Sequence, residues 1–234
     1  MKLDILCFAA HPDDVELACS GTILRQINLG YKVGIIDLTQ GELGTRGNAE
    51  IRAKEADTSS KILGIHLREN LKLADGFFRN DTETLKKIIE KIRCYQPEII
   101  LCNAENDRHI DHGKAANLIE EAGFLSGLQK IEINGLQAWR AKQIYHYIQD
   151  RITKPDLVVD ISDYYEKKMQ AVMAYSSQFY NPESNEPTTA ISSKDFLEFL
   201  NGRALEFGRL IGKKYGEGFT CRRSIGTSNL MDLI

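Results

Sequence analysis

Short apolar runs alternate with longer amphipathic stretches over the first two thirds of the chain. This alternation is typical of parallel strands joined by helical crossovers. We therefore expect an α/β fold: a single-domain, Rossmann-like three-layer sandwich over residues 1–234, with a mostly parallel sheet of six or more strands flanked by helices. The predicted strands cover residues 3–9, 32–38, 66–71, 98–102, 143–148 and 157–161.

The predicted helices have apolar residues near a spacing of 3.6 residues. The first ends before Gly30, a residue type common at helix C-termini, and the third ends before Pro97, because proline disfavours a helical residue before it. These helices cover residues 14–29, 49–63, 82–95, 111–124, 163–179 and 192–215. Residues 180–189 contain two prolines and no aliphatic residue, which indicates an irregular loop and a candidate lid.

Composition and charge exclude several classes of protein. Hydrophobic residues make up 42% and charged residues 27% of the chain, as in ordinary globular proteins. The net charge is -3 and the basic residues are scattered, so we expect no nucleic-acid partner. The apolar run 5–10 is too short for a signal peptide or a membrane span, so we expect no membrane partner. Five cysteines without a C-x-x-C pair indicate reduced, buried thiols in a cytoplasmic protein: Cys7, Cys19, Cys94, Cys102 and Cys221.

Open parallel sheets bind ligands at the carboxyl ends of their strands, and the loops there are rich in His, Asp, Arg and Glu. In the first loop, His11 and Asp14 are three positions apart and can face one ion, while Pro12 stiffens the turn. Alternatively, Asp13 or Asp14 only caps the following helix. A cap does not explain His11.

A second polar run, Asp-Arg-His-Ile-Asp-His at 107–112, follows the fourth predicted strand. His109 and His112 are three positions apart, so they lie on the same side of a helical turn. Zinc held by two histidines and one carboxylate, with a fourth position open for water, is a hydrolytic arrangement. A solvated charged turn is the alternative, but both runs fall at one edge of the sheet. His66 and His146 lack such neighbours, and we interpret them as ordinary core or surface histidines.

The run A-H-P-D-D-V-E at 10–16, together with H-I-D-H at 109–112, resembles the PIG-L or LmbE-like family of zinc N-deacetylases. The resemblance continues through D-L-T at 37–39, R-A-K-E-A at 52–56 and Y-S-S-Q-F at 175–179, so it spans nearly the whole chain. The loop G-E-L-G-T-R-G at 41–47 is most similar to the bacterial deacetylases of bacillithiol biosynthesis, which act on N-acetylglucosaminyl-malate.

The resemblance implies one Zn²⁺ per chain, bound by His11, Asp14 and His112. It implies that Asp13 is the general base and that His109 stabilises the oxyanion or protonates the leaving amine. Many family members have proline where this chain has Ile110, which bears on the rigidity of the turn more than on the chemistry. Asp111, between the two histidines, is expected to orient an imidazole.

The resemblance also implies that Arg52 and Asp75 contact the sugar. Arg46, Arg52 and Arg108 lie in or beside the loops at this edge, and arginine suits the carboxylates of a malate group, with Arg52 the favoured residue. The alternative is that these arginines form salt bridges with acidic residues nearby: Glu42, Glu55 or Asp107.

The expected function is zinc-dependent removal of the N-acetyl group from an N-acetylglucosamine conjugate, foremost N-acetylglucosaminyl-malate. The same chemistry on an acetylated chitobiose, a glycolipid or a thiol conjugate stays open, as does a non-catalytic zinc-binding module. A dinucleotide enzyme is disfavoured because the first strand-helix turn lacks G-x-G-x-x-G. The expected partner is a small amino-sugar substrate, and a homo-oligomer stays open.

Overall fold

One seven-stranded sheet forms the centre of the molecule in the computed structural model, which describes residues 1–232. Its strands are β1 (Ile5–Ala9), β2 (Val33–Thr39), β3 (Leu67–Leu73), β4 (Ile99–Cys102), β5 (Gln143–Tyr147), β6 (Leu157–Asp160) and β7 (Gly216–Thr220). Their order is β3-β2-β1-β4-β5-β7-β6. The first five strands pair in parallel, whereas β7 runs antiparallel to both β5 and β6.

Six α-helices surround the sheet: α1 (Asp14–Asn28), α2 (Ala49–Leu63), α3 (Thr82–Tyr95), α4 (Ile110–Ser126), α5 (Tyr165–Met173) and α6 (Lys194–Leu210). A short 3-10 helix follows at Leu230–Asp232. The sequence signals for helix ends hold well in α2, where the Asn48 side chain accepts from the Ile51 N–H and Gly64 ends the helix at φ 72°. Among residues 1–232, no helix is long and apolar enough to cross a membrane.

The core lies on both faces of the sheet. Successive side chains of a strand point to opposite faces. Leu6 and Phe8 of β1 accordingly pack with α3 and α4, whereas Cys7 and Ala9 pack with α1 and α5. β1 and β2 are buried on both faces, so β1 is a continuous apolar run and β2 is mostly apolar, with Asp37 and Thr39 as its polar residues. The predicted α/β three-layer fold with a mostly parallel sheet is confirmed.

The C-terminal third differs most from the prediction. The helix expected over 163–179 covers only Tyr165–Met173, and the helix expected over 192–215 ends at Leu210. The strand β7 follows, and it was not predicted because its sequence, Gly-Glu-Gly-Phe-Thr, has no apolar alternation. Its glycines serve close packing: a Cβ at Gly216 would lie 2.8 Å from the backbone nitrogen of Gly208 in α6.

A kink at Cys19 (φ −138°, ψ 15°) interrupts the regular geometry of α1. The Leu17 carbonyl accepts from Lys168 Nζ at 3.0 Å and from Arg203 Nη2 at 2.6 Å. Two N–H groups of the next turn donate to the Glu217 carboxylate, at 3.0 and 2.6 Å. All three charged side chains are buried, so they hold the first turn of α1 against β7.

Candidate active site

A cavity of about 550 Å³ lies at the carboxyl ends of β1 and β4, the edge at which the sequence predicts the site. A cavity of about 630 Å³ between α2 and β3 contains none of the predicted site residues, so its size alone does not mark a site. The 550 Å³ cavity is lined by all of the predicted residues except Arg46: His11, Asp13, Asp14, Arg52, Asp75, Arg108, His109 and His112.

A sharp turn after β1 directs His11 and Asp14 towards the cavity. Asp13 sits in this turn with φ 117°, a positive angle that few residues other than glycine adopt, although Asp and Asn tolerate it best. The turn is closed by the His11 N–H, which donates to Asp14 Oδ2 at 2.9 Å. Asp14 Oδ2 then lies 3.6 Å from His11 Nδ1, and Oδ1 lies 3.1 Å from His112 Nε2. The two predicted histidine ligands therefore flank the Asp14 carboxylate, one at each of its oxygens.

His109 stands beside this trio at the start of α4. Its Nδ1 accepts from the Asp111 N–H at 3.3 Å and caps the helix. Ligand nitrogens of His11, His109 and His112 all lie within 4.8 Å of one another. By distance alone, His109 is thus also near enough to contact a shared metal ion.

Carboxylates on the outer side of the site fix the orientation of both predicted histidine ligands. His11 Nε2 donates to Asp75 Oδ1 at 3.0 Å and lies 3.5 Å from Asp111 Oδ2, so its Nδ1 is left towards Asp14. His112 Nδ1 donates to Asp107 Oδ2 at 2.6 Å, which leaves its Nε2 facing the Asp14 carboxylate. Asp111 thus contacts an imidazole as predicted, whereas Asp107 was foreseen only as a salt-bridge partner of an arginine.

These contacts make the site suited to a cation. Burial by itself lowers the pKa of His112, but Asp14 and Asp107 outweigh it and raise the pKa to about 9. Burial also lowers the pKa of His109, and the neighbouring His11 lowers it further. The carboxylates thus favour positive charge at the ligand trio, while His109 stays neutral at pH 7.

Arg52 holds the predicted base. Its Nη2 donates to Asp13 Oδ2 at 2.9 Å and also contacts the Pro12 carbonyl, with both charged side chains buried. Gly41 makes room for this arginine: its φ is 64°, and a Cβ there would lie 1.9 Å from Arg52 Nη1. Burial raises the pKa of Asp13 to about 7, against the opposite effect of Arg52. Such a carboxyl group can accept and return a proton near neutral pH.

The remaining predicted substrate residues have other partners. Asp75 uses its second oxygen, Oδ2, to accept from the Leu43 N–H at 3.0 Å. Arg46 is buried outside the cavity lining, where it donates to Ser184 Oγ at 2.6 Å and pairs with Glu186 at 3.4 Å. Arg108 lines the cavity but pairs with Asp150. Both arginines thus pair with acidic side chains, but not with Glu42, Glu55 or Asp107, the partners named in the alternative.

The loop 180–189 has neither helix nor strand, as predicted. Its last residue, Thr189, lines the cavity together with Ala190 and Ile191. Arg46 ties the loop to residues 41–47 through Ser184 and Glu186. Motion of this loop as a lid stays a prediction.

The site residues lie in a region that matches a known protein family. The PIG-L family model, described as GlcNAc-PI de-N-acetylase, matches residues 6–123, about half of the chain, from β1 to α4. The chain belongs to the PIG-L family. The match includes both histidine runs at the carboxyl edge of the sheet.

The names of three curated relatives of this PIG-L chain state two activities, deacetylation and hydration. Diacetylchitobiose deacetylase of Thermococcus kodakarensis is 31% identical over 92% of this chain and 81% of its own. A probable N-acetyl-alpha-D-glucosaminyl L-malate deacetylase 2 of Bacillus anthracis is 26% identical over 75% of this chain and 81% of its own. The 4-oxalmesaconate hydratase of Pseudomonas putida is 25% identical over 74% and 73%.

Among solved structures, the conserved protein TT1542 from Thermus thermophilus superposes with a TM-score of 0.87 and is 33% identical, over 96% of this chain and 97% of that one. The fold of the PIG-L chain is thus shared along its length. With the family match and the deacetylase relatives, this makes the chain an enzyme, a metal-dependent N-deacetylase.

Proposed function

We propose that this PIG-L chain binds one Zn²⁺ and removes the N-acetyl group from an N-acetylglucosamine conjugate. The observation that carries the proposal is the convergence of His11, Asp14 and His112 beside Asp13 and His109 in one cavity. Two imidazoles and one carboxylate are the donor set of hydrolytic zinc sites. When bound, Zn²⁺ supplies a Lewis acid and lowers the pKa of water in its open position.

Asp13 is proposed as the general base. Asp13 is next to the proposed ligand Asp14 in sequence, but its carboxylate accepts a hydrogen bond from Arg52. The carboxylate therefore stays available for a proton. A structural zinc site needs no such unliganded, buried carboxylate, which speaks against a non-catalytic module.

His109 is proposed as the donor to the oxygen of the acetyl group. Its Nδ1 accepts from the Asp111 N–H, so in the neutral imidazole the proton is on Nε2. A protonated Nε2 can donate to a developing oxyanion, but it cannot bind a metal ion. This hydrogen bond therefore favours His109 as an oxyanion donor over His109 as a fourth protein ligand.

The residues of the cavity specify the group attached to the amino sugar less tightly than they specify the metal ligands. The sequence favours malate, yet both arginines that line the cavity have acidic partners: Arg52 pairs with Asp13, and Arg108 pairs with Asp150. Exposed apolar side chains surround the opening instead: Leu43, Phe77 and Ile110, with exposed fractions of 61%, 74% and 69%. Exposed apolar groups beside a cavity mark binding surfaces. They favour a neutral second half, such as another sugar ring, over a dicarboxylate.

A substrate comparison tests this proposal. Purified enzyme loaded with Zn²⁺ is incubated with N,N'-diacetylchitobiose, with N-acetylglucosaminyl-malate and with 4-oxalmesaconate, and acetate release or hydration is measured. We expect acetate from the two acetylated sugars, with the higher kcat/KM on the disaccharide. A higher kcat/KM on the malate conjugate would refute the proposal that the group attached to the amino sugar is neutral. Hydration without acetate release would assign the chain to the hydratase activity of its Pseudomonas relative.

We also propose that the enzyme acts in the cytoplasm. All five cysteines are free, and Cys7, Cys19 and Cys102 are buried as expected, whereas Cys94 is exposed and Cys221 is partly exposed. Free thiols are typical of reducing compartments. Cell fractionation with an antibody to the protein tests this location, and recovery of the protein outside the cytoplasm would contradict it. A homo-oligomer stays a prediction.

A further inference from the structure

Two side-chain amides hold the Asp14 carboxylate from opposite sides. Asn103 Nδ2 donates to Asp14 Oδ2 at 2.9 Å, and Gln149 Nε2 donates to Asp14 Oδ1 at 2.7 Å. Asn103 directly follows β4, and Gln149 comes two residues after β5. Both amides are buried, and neither was singled out from the sequence.

We propose that Asn103 and Gln149 are positioning residues that restrict Asp14 to a single metal-binding lone pair and thereby set the affinity of the site for its metal. The inference rests on the proposed function in one respect, namely that Asp14 binds the metal. It adds two residues that act on the metal through their hydrogen bonds to Asp14.

A count of hydrogen bonds supports the restriction. An ionised carboxylate offers about four lone pairs, two on each oxygen. On Asp14 Oδ2, the Asn103 amide and the His11 N–H occupy both. On Oδ1, Gln149 occupies one, and the other faces His112 Nε2 at 3.1 Å, where the imidazole and the carboxylate would share a metal ion in place of a proton. Asp14 is thereby prepared to bind through Oδ1 alone.

Amides suit this task because they are neutral. A lysine or arginine in the same place would also donate to Asp14, but its positive charge would repel a divalent cation at short range. Asn103 and Gln149 orient the carboxylate and leave its negative charge available to the metal.

Gln149 is the better residue to test. Asn103 has a second structural task, since its Oδ1 accepts from the Ala10 N–H at 2.9 Å and so holds the end of β1. Gln149 Oε1 is buried and has no hydrogen-bond partner among residues 1–232, so removal of the side-chain amide breaks only the bond to Asp14. Loss of groups that orient metal ligands typically weakens metal binding by about 10- to 100-fold.

The experiment measures the dissociation constant for Zn²⁺ by competition with a chromophoric chelator, without substrate. We expect Gln149→Leu to raise this constant by about 10-fold or more, with thermal unfolding of the metal-free protein close to wild type. The matched control is Gln178→Leu. Gln178 lines the same cavity with similar burial, but it donates to the Arg46 carbonyl and not to Asp14, so its substitution should leave the constant unchanged.

Each outcome has one meaning. If Gln149→Leu binds Zn²⁺ as tightly as wild type, the proposed positioning role is refuted. An equal loss in Gln178→Leu also refutes it, because the effect would then belong to any change in the cavity wall. Gln149→Met replaces Gln149→Leu if the latter does not fold. Wild-type protein that binds no Zn²⁺ refutes the proposed metal site itself, and missing acetate release with normal Zn²⁺ binding refutes only the proposed function.

Discussion

Replacement of Asp13 by asparagine separates chemistry from structure at this site. Asp13 has φ 117°, and asparagine tolerates positive φ about as well as aspartate, whereas alanine would be strained there. The asparagine side-chain oxygen can still accept from Arg52 Nη2, which lies 2.9 Å from Asp13 Oδ2. The turn that joins His11 to Asp14 should therefore keep its shape.

The size of the expected effect follows from the role of the group. A general base contributes about 10²- to 10⁴-fold in rate, which corresponds to roughly 3–5 kcal/mol of activation free energy. The stability should change much less. Because the hydrogen bond to Arg52 persists in altered form, we expect the free energy of unfolding to fall by at most about 2 kcal/mol.

Three measurements on one preparation of Asp13→Asn check this prediction: bound Zn²⁺, thermal unfolding and kcat for acetate release. We expect one Zn²⁺ per chain, a small change in Tm and a kcat reduced at least about 100-fold. A kcat near that of wild type would refute Asp13 as the base; the alternative of a helix cap is already contradicted, because the Asp13 side chain makes no cap hydrogen bond to α1. Loss of Zn²⁺ from a folded variant would show that Asp13 binds the metal.

Three further substitutions test other parts of the account. His112→Ala removes one of three protein ligands, so equilibrium dialysis should show weaker Zn²⁺ binding; a full, tightly bound equivalent would exclude His112 as a ligand. Arg52→Ala should lower kcat/KM while Zn²⁺ stays bound, and unchanged kinetics on all acetylated sugars would remove Arg52 from the site. Burial lowers the pKa of His146, but Cys102 and Glu120 outweigh it and raise the pKa to about 11. The bound proton thus stabilises the fold fully below about pH 6.5, the unfolded value, and this contribution is lost as the pH rises through 11. Glu120→Gln should therefore reduce the unfolding free energy more at pH 6 than at pH 10, and an equal loss at both would refute this ion pair.

The first half of the chain was predictable because its signals are local. The apolar runs of β1 and β2, the glycine after α1 and the proline after α3 each reflect a physical preference of a few neighbouring residues. Parallel topology then brings the loops after β1 and β4 to one edge. For this reason His11 and His112 could be expected to meet although they are far apart in sequence.

The unpredicted features depend on distant partners. The strand β7 forms because its glycines pack against α6 and because Glu217 accepts from two N–H groups of α1, neither of which has a local signal. Gln149 contacts Asp14 across 135 positions in sequence. Arg46 lies in the loop 41–47 at the predicted site edge, yet its guanidinium contacts the loop 180–189 because Ser184 and Glu186 offer it acceptors there.

The most direct test of the central claim is the dependence of acetate release on bound metal. Chelator-treated enzyme is titrated with Zn²⁺, and the rate of acetate release from N,N'-diacetylchitobiose is measured together with bound Zn²⁺ at each step. The account predicts a rate close to zero in metal-free protein, a linear rise with bound Zn²⁺, and a maximum at one ion per chain. Undiminished acetate release from metal-free protein would contradict it.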